Sequence, residues 1–287
     1  MSKIAVIGNG AIGTIASLKL INSGHNVDLF GESLRLGSAS TASGAMINVF
    51  AELEDCQLEN FFLKKSFDLA LESSKKWDKF LLKELNYKSS FSNRKTIVFK
   101  NKYSSSYELK HFSYLKKLQS KYKNDIYLDS SFNKFLNNSD EKIILPNEKF
   151  IDSKYLFNKL DALLKIKKIN LNLDQKKYKI KFDNQGVELN FDKKKKKYDY
   201  LIIATGSFSQ NIFDYNKELF KNVPRVFYGT GVGLQITKNK FSSNINKKNL
   251  VYRTMNRGNA CGFHLVPTDY GYYFGATNHI SSFKEDL

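Results

Sequence analysis

The sequence is poor in the residues that build disulfide frameworks and metal sites. Its 287 residues include two cysteines, Cys56 and Cys261, which lie far apart and form no CxxC pair. Neither a disulfide framework nor a zinc site is therefore indicated, and we expect two reduced thiols packed as small hydrophobic side chains. The four histidines show no metal-ligand spacing, so no metal site is predicted.

Long apolar runs are also missing. No stretch is long enough to cross a bilayer, and the N-terminus passes from Met1-Ser2-Lys3 directly into a short apolar run and then glycines, without the pattern of a signal peptide. We therefore expect a cytoplasmic protein with no membrane span. The hydrophobic fraction of 41% is ordinary for a globular chain, and the length allows a large buried core.

Acidic residues are too few to balance the basic ones, and the net charge is +18. Such a charge is compatible with nucleic acid or an anionic membrane surface. The lysines are spread over the whole chain, however, and the densest cluster, Lys193 to Lys197, lies between two strand-like segments, where we expect a solvated hairpin loop. We expect no specific nucleic-acid partner. A non-enzymatic basic nucleic-acid-binding or scaffold protein remains an alternative, which predicts binding with a steep salt dependence.

The first thirty residues have the pattern strand, glycine turn, helix, strand. Ile4–Ile7 and Val27–Phe30 are apolar runs typical of buried parallel strands. Between them we predict a helix that ends at Gly24, with an apolar stripe formed by Ile12, Ile15, Ala16 and Leu20.

The turn carries the pattern GxGxxG, with Gly8, Gly10 and Gly13. In this context Gly8 permits a tight turn, Gly10 lets the backbone approach a pyrophosphate, and Gly13 lets helix and strand pack closely. The helix N-terminus offers N–H groups and a partial positive charge to phosphates. The acid that binds the ribose is expected at the end of the second strand. Gly31 occupies that place, so we favour Glu32 over Asp28, which lies within the strand.

Two later segments extend this nucleotide-binding pattern. A run of small and hydroxylated residues, from Leu36 to Met46, follows the second strand, and a buried strand ends in Ala204-Thr205-Gly206. Elsewhere the periodicity predicts further elements. They are helices over Leu58–Leu85, Ser105–Tyr122 and Asp152–Leu164, a strand over Lys95–Lys100, and short antiparallel strands at Leu171–Leu173, Tyr178–Phe182 and Val187–Phe191.

The motifs IAVIGNGAIG, LFGE, GSASTASGAM and DYLIIATGSFSQ, in this order, resemble the D-amino-acid oxidase/glycine oxidase/sarcosine oxidase family of flavoproteins. The resemblance implies FAD as cofactor. It implies contacts to the pyrophosphate from the glycine turn, to the ribose from the acid, and along the cofactor from the small-residue run and the late strand end. The implied residues are Gly8, Gly10, Ala11, Ile12, Gly13, Glu32, Ser40, Thr41, Gly44, Ala45, Met46, Thr205 and Gly206.

The resemblance also implies an α/β fold, with a Rossmann-like FAD-binding domain and an interleaved antiparallel-sheet substrate domain. We expect residues 1–75 and 150–215 to form the FAD-binding parts, and residues 76–149 and 216–287 the substrate parts. Relatives continue for roughly another quarter of the chain, with an arginine for the substrate carboxylate and a glycine-rich stretch, so we expect a C-terminal FAD-binding segment to be missing from this sequence.

Three residues are candidates for the substrate site. His264 precedes a Val-Pro pair, where relatives often carry tyrosine, and is predicted to contact the substrate; a histidine satisfied within the sheet is the alternative. Arg253 and Arg257 are candidate carboxylate ligands, or surface charges on a strand. The function implied is oxidation of an amine or amino acid, C–N to imine, by hydride transfer to the flavin. A flavin dehydrogenase acting on a hydroxy acid or other C–OH substrate is the enzymatic alternative.

Overall fold

The computed structural model describes residues 1–87, 94–129, 141–174, 177–191, 194–237, 249–257, 262–275, 277 and 279–281. The chain forms two compact units that are interleaved in sequence. The first unit comprises residues 1–42, 153–230 and 279–287, and the second comprises residues 43–152 and 231–278. Residues 43–75, which the sequence assigns to the FAD-binding part, thus lie in the second unit.

Both units contain helices and strands, and strands outnumber helices in the described part of each. The helices are α1 (Ala11–Asn22), α2 (Ala39–Ala42), α3 (Phe61–Lys79), α4 (Ser106–Leu118), α5 (Ser153–Ile166), α6 (Ser209–Tyr215) and α7 (Lys217–Phe220). The strands are β1 (Lys3–Ile7), β2 (Asn26–Gly31), β3 (Met46–Ile47), β4 (Lys95–Lys100), β5 (Tyr127–Asp129), β6 (Glu141–Leu145), β7 (Lys149–Phe150), β8 (Asn170–Leu173), β9 (Lys179–Asp183), β10 (Gly186–Phe191), β11 (Lys194–Tyr198), β12 (Tyr200–Ile203), β13 (Tyr228–Thr230), β14 (Leu234–Thr237), β15 (Leu250–Arg253), β16 (His264–Thr268), β17 (Gly271–Gly275) and β18 (His279–Ser281).

A parallel sheet with the strand order β12-β1-β2-β8 organises the first unit. The apolar run of β1 is buried, as expected for a central parallel strand. Strand β8 pairs with β2 in parallel, so the prediction that Leu171–Leu173 is antiparallel was wrong. Strand β8 lies at the edge of the sheet, where Asn170 and Leu171 are exposed and Asn172 and Leu173 are half-buried.

The predicted apolar stripe of α1 was also wrong. The buried residues are Gly13, Thr14, Ser17 and Leu18, and Ile12 is 76% exposed. Small residues face the sheet because the helix approaches strand β1 closely at the glycine turn, where larger side chains do not fit. The end of the helix agrees with the prediction, since Gly24 has a φ of +84° and its N–H donates to Ile21.

The described lysines of the cluster, Lys194 to Lys197, lie in strand β11 and not in a loop. Strand β11 pairs antiparallel with β10, which pairs with β9. Buried apolar side chains of this small sheet pack against the parallel sheet, and the lysine run is tolerated because it forms the strand's solvated positions. The shared core contains Ala5, Ile7, Phe30, Tyr178, Ile180, Val187, Leu189, Phe191, Tyr198 and Ile212.

The second unit is built on a mixed sheet with the order β14-β17-β16-β15-β4-β6-β5. Strands β15 and β4 are parallel, and the other neighbours are antiparallel. Helix α3 is shorter than predicted because Asn60 caps its start and a π-helical turn over Phe80–Glu84 continues it. Helix α4 begins after Ser105, which forms a capping box with Glu108.

Cys56 is exposed, at a φ of +58° between two short turns, so the expectation of a packed thiol was wrong for this residue. Cys261 lies outside the described residues. Among the described residues, no helix is long and apolar enough to span a membrane, and no group of histidine, cysteine and acidic side chains is arranged to hold a metal ion.

Candidate cofactor and substrate site

The predicted nucleotide-binding residues of the first unit follow three neighbouring parallel strands. The carboxyl ends of β1, β2 and β12 share one edge of the sheet, where open α/β sheets bind their ligands. The turn at Gly8 is joined to both neighbours, because its N–H donates to Phe30 O (2.8 Å) and Ala204 N donates to Ile7 O (2.7 Å). The glycine turn, Glu32 and Thr205 are therefore brought together.

Two glycines of the turn have no room for a side chain. A Cβ on Gly8, whose φ is +112°, would lie 2.3 Å from the carbonyl oxygen of Ala204, and one on Gly13 would lie 1.7 Å from the carbonyl oxygen of Gly8. Gly10 is different, since a Cβ there would meet the side-chain oxygens of Ser40, at 3.3 Å, and Ser38, at 4.0 Å, and no backbone atom of the described residues within 4 Å. The first two positions are required by the packing of the turn, whereas Gly10 leaves open space beside the backbone.

The N-terminus of α1 faces this space. N–H groups in the first turn of a helix have no acceptor within the helix, and they favour anions. Ala11 N donates to Ser40 Oγ (3.2 Å), which ties the small-residue run to the helix. Thr41 Oγ1 donates to Ser38 O and stabilises the same run. These groups fit the pyrophosphate of a dinucleotide.

The two candidate acids of β2 have different environments. Asp28 is 2% exposed and accepts hydrogen bonds from Tyr198 Oη (2.6 Å) and Asn170 Nδ2 (2.9 Å). Burial raises the pKa of Asp28, but these bonds and the nearby Lys196 ammonium outweigh it and lower the pKa below its usual value. Glu32 is exposed, and its carboxylate has no hydrogen bond to any residue that the structure describes. Glu32 is therefore the acid available to a ribose.

Thr205 and Gly206 open a 3-10 turn at the end of β12. Gly206 adopts a φ of +59°, and Thr205 Oγ1 lies 2.9 Å from Ser209 Oγ in a hydrogen bond. The hydroxyl of Thr205 is thereby committed to the turn that follows the strand, and the backbone of the strand end faces the same edge as the glycine turn.

The remaining predicted cofactor residues, Gly44, Ala45 and Met46, belong to the second unit. A Cβ on Gly44 would lie 3.0 Å from the ring of Tyr273. Ala45 has a φ of +45° and its carbonyl accepts from Ile151 N (2.9 Å). Met46 begins β3 and packs on a cluster of Phe150, Val251, Val266 and Tyr273. This end of the small-residue run is thus fixed against the mixed sheet.

His264 is buried beside the same tyrosine. Its imidazole stacks on Tyr273 with ring centroids 5.8 Å apart, and its Nδ1 lies 3.1 Å from Gly262 O. Burial lowers the pKa of His264 below its ordinary value, and the nearby Arg253 guanidinium adds to the decrease, although the bond to Gly262 opposes it. His264 is therefore neutral near pH 7.

Arg253 lies beside His264 in the sheet register and is 1% exposed, so it is not a surface charge. Its guanidinium donates to Glu52 Oε1 (2.5 Å), Asn256 Oδ1 (2.9 Å) and Thr254 O (3.1 Å). Burial raises the pKa of Glu52, but the Arg253 charge and hydrogen bonds dominate and hold that pKa well below its usual range. Arg253 thus has protein partners of its own.

Arg257 is placed away from this group, and it pairs with the buried carboxylate of Glu108 at 3.1 Å. Its guanidinium also lies 4.3 Å above the centre of the Phe263 ring, and Phe263 stacks on Phe274. Since Glu108 caps α4, Arg257 joins the loop after β15 to the start of that helix.

Sequence reasoning missed Glu148, a buried acid between β6 and β7. Its Oε1 accepts from the backbone N–H groups of Val49 (2.8 Å), Phe50 and Ala51 (3.1 Å), and its Oε2 has no partner among the described residues. Burial raises the pKa of Glu148 to about 7. Only the pairing of distant segments brings this acid to the chain that follows Met46, so no local pattern reveals it.

The fold and the strand-end site are those of a dinucleotide-binding protein of the α/β class. The chain belongs to the FAD dependent oxidoreductase family, whose model matches residues 3–286. This confirms the resemblance found in the sequence, the fold class and FAD as the cofactor of the family. No curated protein sequence matches the chain.

Solved structures of oxidases have the same fold. Glycine oxidase from Geobacillus kaustophilus is 16% identical, with a TM-score of 0.73 over 100% of this chain and 74% of that one. Glycine oxidase from Bacillus cereus is 16% identical, with a TM-score of 0.72 over 100% and 76%. Iminodiacetate oxidase from Chelativorans sp. is 15% identical, with a TM-score of 0.70 over 96% and 71%.

Proposed function

We propose that this protein binds FAD at the carboxyl edge of its parallel sheet and oxidises an amine or amino acid, converting a C–N bond to an imine. The observation that carries the proposal is that two features lie at the same sheet edge. The glycine turn has no room for a side chain at Gly8 or Gly13, and the exposed acid after the next strand, Glu32, has no partner for its carboxylate among the described residues. In dinucleotide sites the first binds a pyrophosphate and the second a ribose hydroxyl.

The first unit supplies most of the proposed contacts. Gly10 and the N–H groups of Ile12 and Gly13 would hold the pyrophosphate, Ala11, whose N–H donates to Ser40 Oγ, would border it, and Glu32 would bind the ribose. Ser40 and Thr41, with the strand end at Thr205 and Gly206, would border the cofactor, and Gly8 shapes the turn. Gly44, Ala45 and Met46 of the second unit remain predicted contacts on the strength of the sequence resemblance.

When bound, the flavin accepts a hydride from the carbon that bears the amine. The protein's part is to hold and orient the substrate. We propose that His264 makes a substrate contact through a neutral imidazole, which accepts or donates one hydrogen bond without introducing a charge. Arg253 orients this region through Glu52 and Asn256, and Arg257 does so through Glu108. The amine substrate class is supported by the neighbours, which include glycine oxidases, an iminodiacetate oxidase and an L-amino acid deaminase.

A visible absorption spectrum of the purified protein, with and without added FAD, tests the cofactor. We expect the spectrum of a bound oxidised flavin. A folded protein that neither carries nor takes up FAD would contradict the proposal.

Anaerobic addition of single amino acids and amines then tests the reaction. A substrate should bleach the flavin, and hydrolysis of the imine should release ammonia, or an aldehyde and an amine, in proportion to the flavin reduced. Bleaching by hydroxy acids without ammonia would instead establish the hydroxy-acid dehydrogenase alternative.

A further inference from the structure

Gly31, the residue at which β2 ends, faces the side chain of Asn9. A Cβ on Gly31 would lie 2.2 Å from Asn9 Cγ and 2.4 Å from Asn9 Oδ1. The amide of Asn9 therefore occupies the volume that a side chain at position 31 would need. This explains why the strand ends in glycine and why the exposed acid stands one residue later, at Glu32.

Asn9 also binds the backbone that carries the acid. Its Nδ2 donates to the carbonyl oxygen of Glu32 (2.7 Å). On the other side, Asp174 donates its N–H to Gly31 O (2.7 Å) and accepts from Ser33 N (3.0 Å). The peptide groups on both sides of the Glu32 side chain are thus held in place, while its carboxylate remains free of protein partners among the described residues.

Arg35 fastens this arrangement to the rest of the unit. Its Nε donates to Asn9 O (2.8 Å), and its two terminal nitrogens donate to the carboxylate of Asp161 on α5, at 2.9 and 2.5 Å. The guanidinium lies 4.6 Å from the centre of the Phe157 ring. Three of the five guanidinium N–H groups of Arg35 bind Asn9 and Asp161, and the Asp161 carboxylate neutralises its charge, so Arg35 is held by partners within the protein.

Arg35 has a φ of +50°, a left-handed conformation that is strained for a residue with a side chain. Such a conformation persists where surrounding contacts determine it, and here the contacts are those with Asn9, Asp161 and Phe157. The strained backbone of Arg35 thus belongs to the loop that carries Glu32.

We infer that Asn9 and Arg35 are positioning residues for the cofactor: together with Asp161 they fix the backbone of Glu32 so that its carboxylate is preorganised for the ribose. The inference rests on the proposed binding of FAD at this edge. Neither residue touches the cofactor through its side chain; both act through Glu32.

The test compares Asp161→Asn, which weakens the Arg35 pair without removing a buried side chain, with Asp183→Asn, which weakens the exposed Lys197 pair of the same unit. FAD dissociation constants are measured by flavin fluorescence, and unfolding of the apo-proteins by urea. We expect Asp161→Asn to raise the dissociation constant about tenfold and Asp183→Asn to leave it within about twofold, with similar urea midpoints. Asn9→Ala should act like Asp161→Asn.

The decisive step repeats Asp161→Asn in a Glu32→Gln background. If Asp161 and Arg35 act through Glu32, the second substitution adds little to the first, whereas a general loss of stability would weaken FAD binding in both backgrounds. Equal FAD affinity of wild type and Asp161→Asn, or fully additive effects, would overturn the inference. A wild-type protein that binds no FAD would instead contradict the proposed function.

Discussion

Glu32 of the first unit is exposed after a strand end, and its carboxylate has no partner among the residues that the structure describes, whereas Glu52 of the second unit is bound by Arg253 and Asn256. The same contrast holds for the two regions. At the carboxyl edge of the parallel sheet, the backbone of the glycine turn forms the candidate site, and the Glu32 carboxylate can bind a ligand because it has no partner among the described residues. In the second unit, the candidate residues Arg253 and His264 of the mixed sheet and Arg257 of the loop after β15 all have protein partners.

The difference follows from what each region must do. A site for a dinucleotide binds through backbone N–H groups and a single acid, so it requires glycines and a tight turn at the helix N-terminus. Buried polar side chains within a sheet lose their hydration and must find partners in the protein. We therefore expect substitutions in the first region to change cofactor affinity, and most substitutions in the second to change the free energy of unfolding.

The largest effect that the comparison predicts is that of Gly13→Ala. The added methyl group would lie 1.7 Å from the Gly8 carbonyl oxygen, so α1 must move away from the turn. We expect loss of FAD binding and destabilisation of about 3 kcal/mol or more. The matched control is Gly24→Ala at the other end of α1, where φ is positive but no atom lies within 4 Å. It should cost about 1 kcal/mol and leave FAD affinity unchanged. Binding titrations and urea unfolding measure both; intact FAD binding by Gly13→Ala would remove the steric argument.

A pair of glutamate substitutions tests the contrast directly. Glu52→Ala leaves the guanidinium of Arg253, 1% exposed, without its anion, and should destabilise the protein by about 3 to 4 kcal/mol. Arg253→Met should cost less, because the Glu52 side chain that it leaves unpaired is 45% exposed. Glu32→Ala should leave urea unfolding of the apo-protein unchanged and weaken FAD binding. Equal urea-unfolding curves for Glu52→Ala and Glu32→Ala would contradict the expectation that only the first substitution destabilises the fold.

The sequence predicts the candidate cofactor site of the first unit better than the mixed sheet of the second unit, because the residues of the cofactor site are closer together in the chain. Gly8, Gly10, Gly13 and Glu32 lie within 25 residues, and local rules relate each to a neighbouring strand or helix. The partners of the second region are far apart in the chain. Arg253 meets Glu52 across 201 positions, and Glu148 meets Phe50 across 98. No periodicity encodes such pairs, since they depend on how separate segments assemble.

Even in the first region, local reasoning fails where a partner is distant. The apolar stripe predicted for α1 is not its buried face, because the close approach at Gly8 selects small residues. The run Lys194 to Lys197 forms a strand because β10 offers an apolar neighbour. The side chain of Lys196 there reaches Asp28, 168 residues away.

The buried Glu148 should make the free energy of unfolding depend on pH. Its pKa is raised to about 7 in the folded protein, from an ordinary value of 4.5, so the folded state holds a proton that the unfolded state releases. The stability gained is complete below pH 4.5 and is lost as the pH rises through 7. The difference is at most about 3 kcal/mol.

Glu148→Gln keeps the acceptor for the N–H groups of Val49, Phe50 and Ala51 and removes the titration. Urea unfolding of the two proteins should agree near pH 4, and the variant should be the more stable at pH 8. Taking the difference between the proteins cancels other groups, including His264, whose lowered pKa gives the opposite slope below pH 6.5. A difference that does not vary with pH would mean that Glu148 is ionised throughout.

The smallest effect should be that of His264→Phe, the one candidate in the mixed sheet that we propose touches the substrate. Loss of one neutral hydrogen bond should lower kcat/KM about tenfold, while FAD affinity stays unchanged because the imidazole is not among the proposed cofactor contacts. Since burial keeps His264 neutral, the ratio of wild-type to variant kcat/KM should be constant between pH 6.5 and 8. His279→Phe, at an exposed histidine of β18, serves as the matched control. A ratio that titrates within this range would show that His264 acts as a cation, and a ratio of one would contradict the proposed substrate contact of His264.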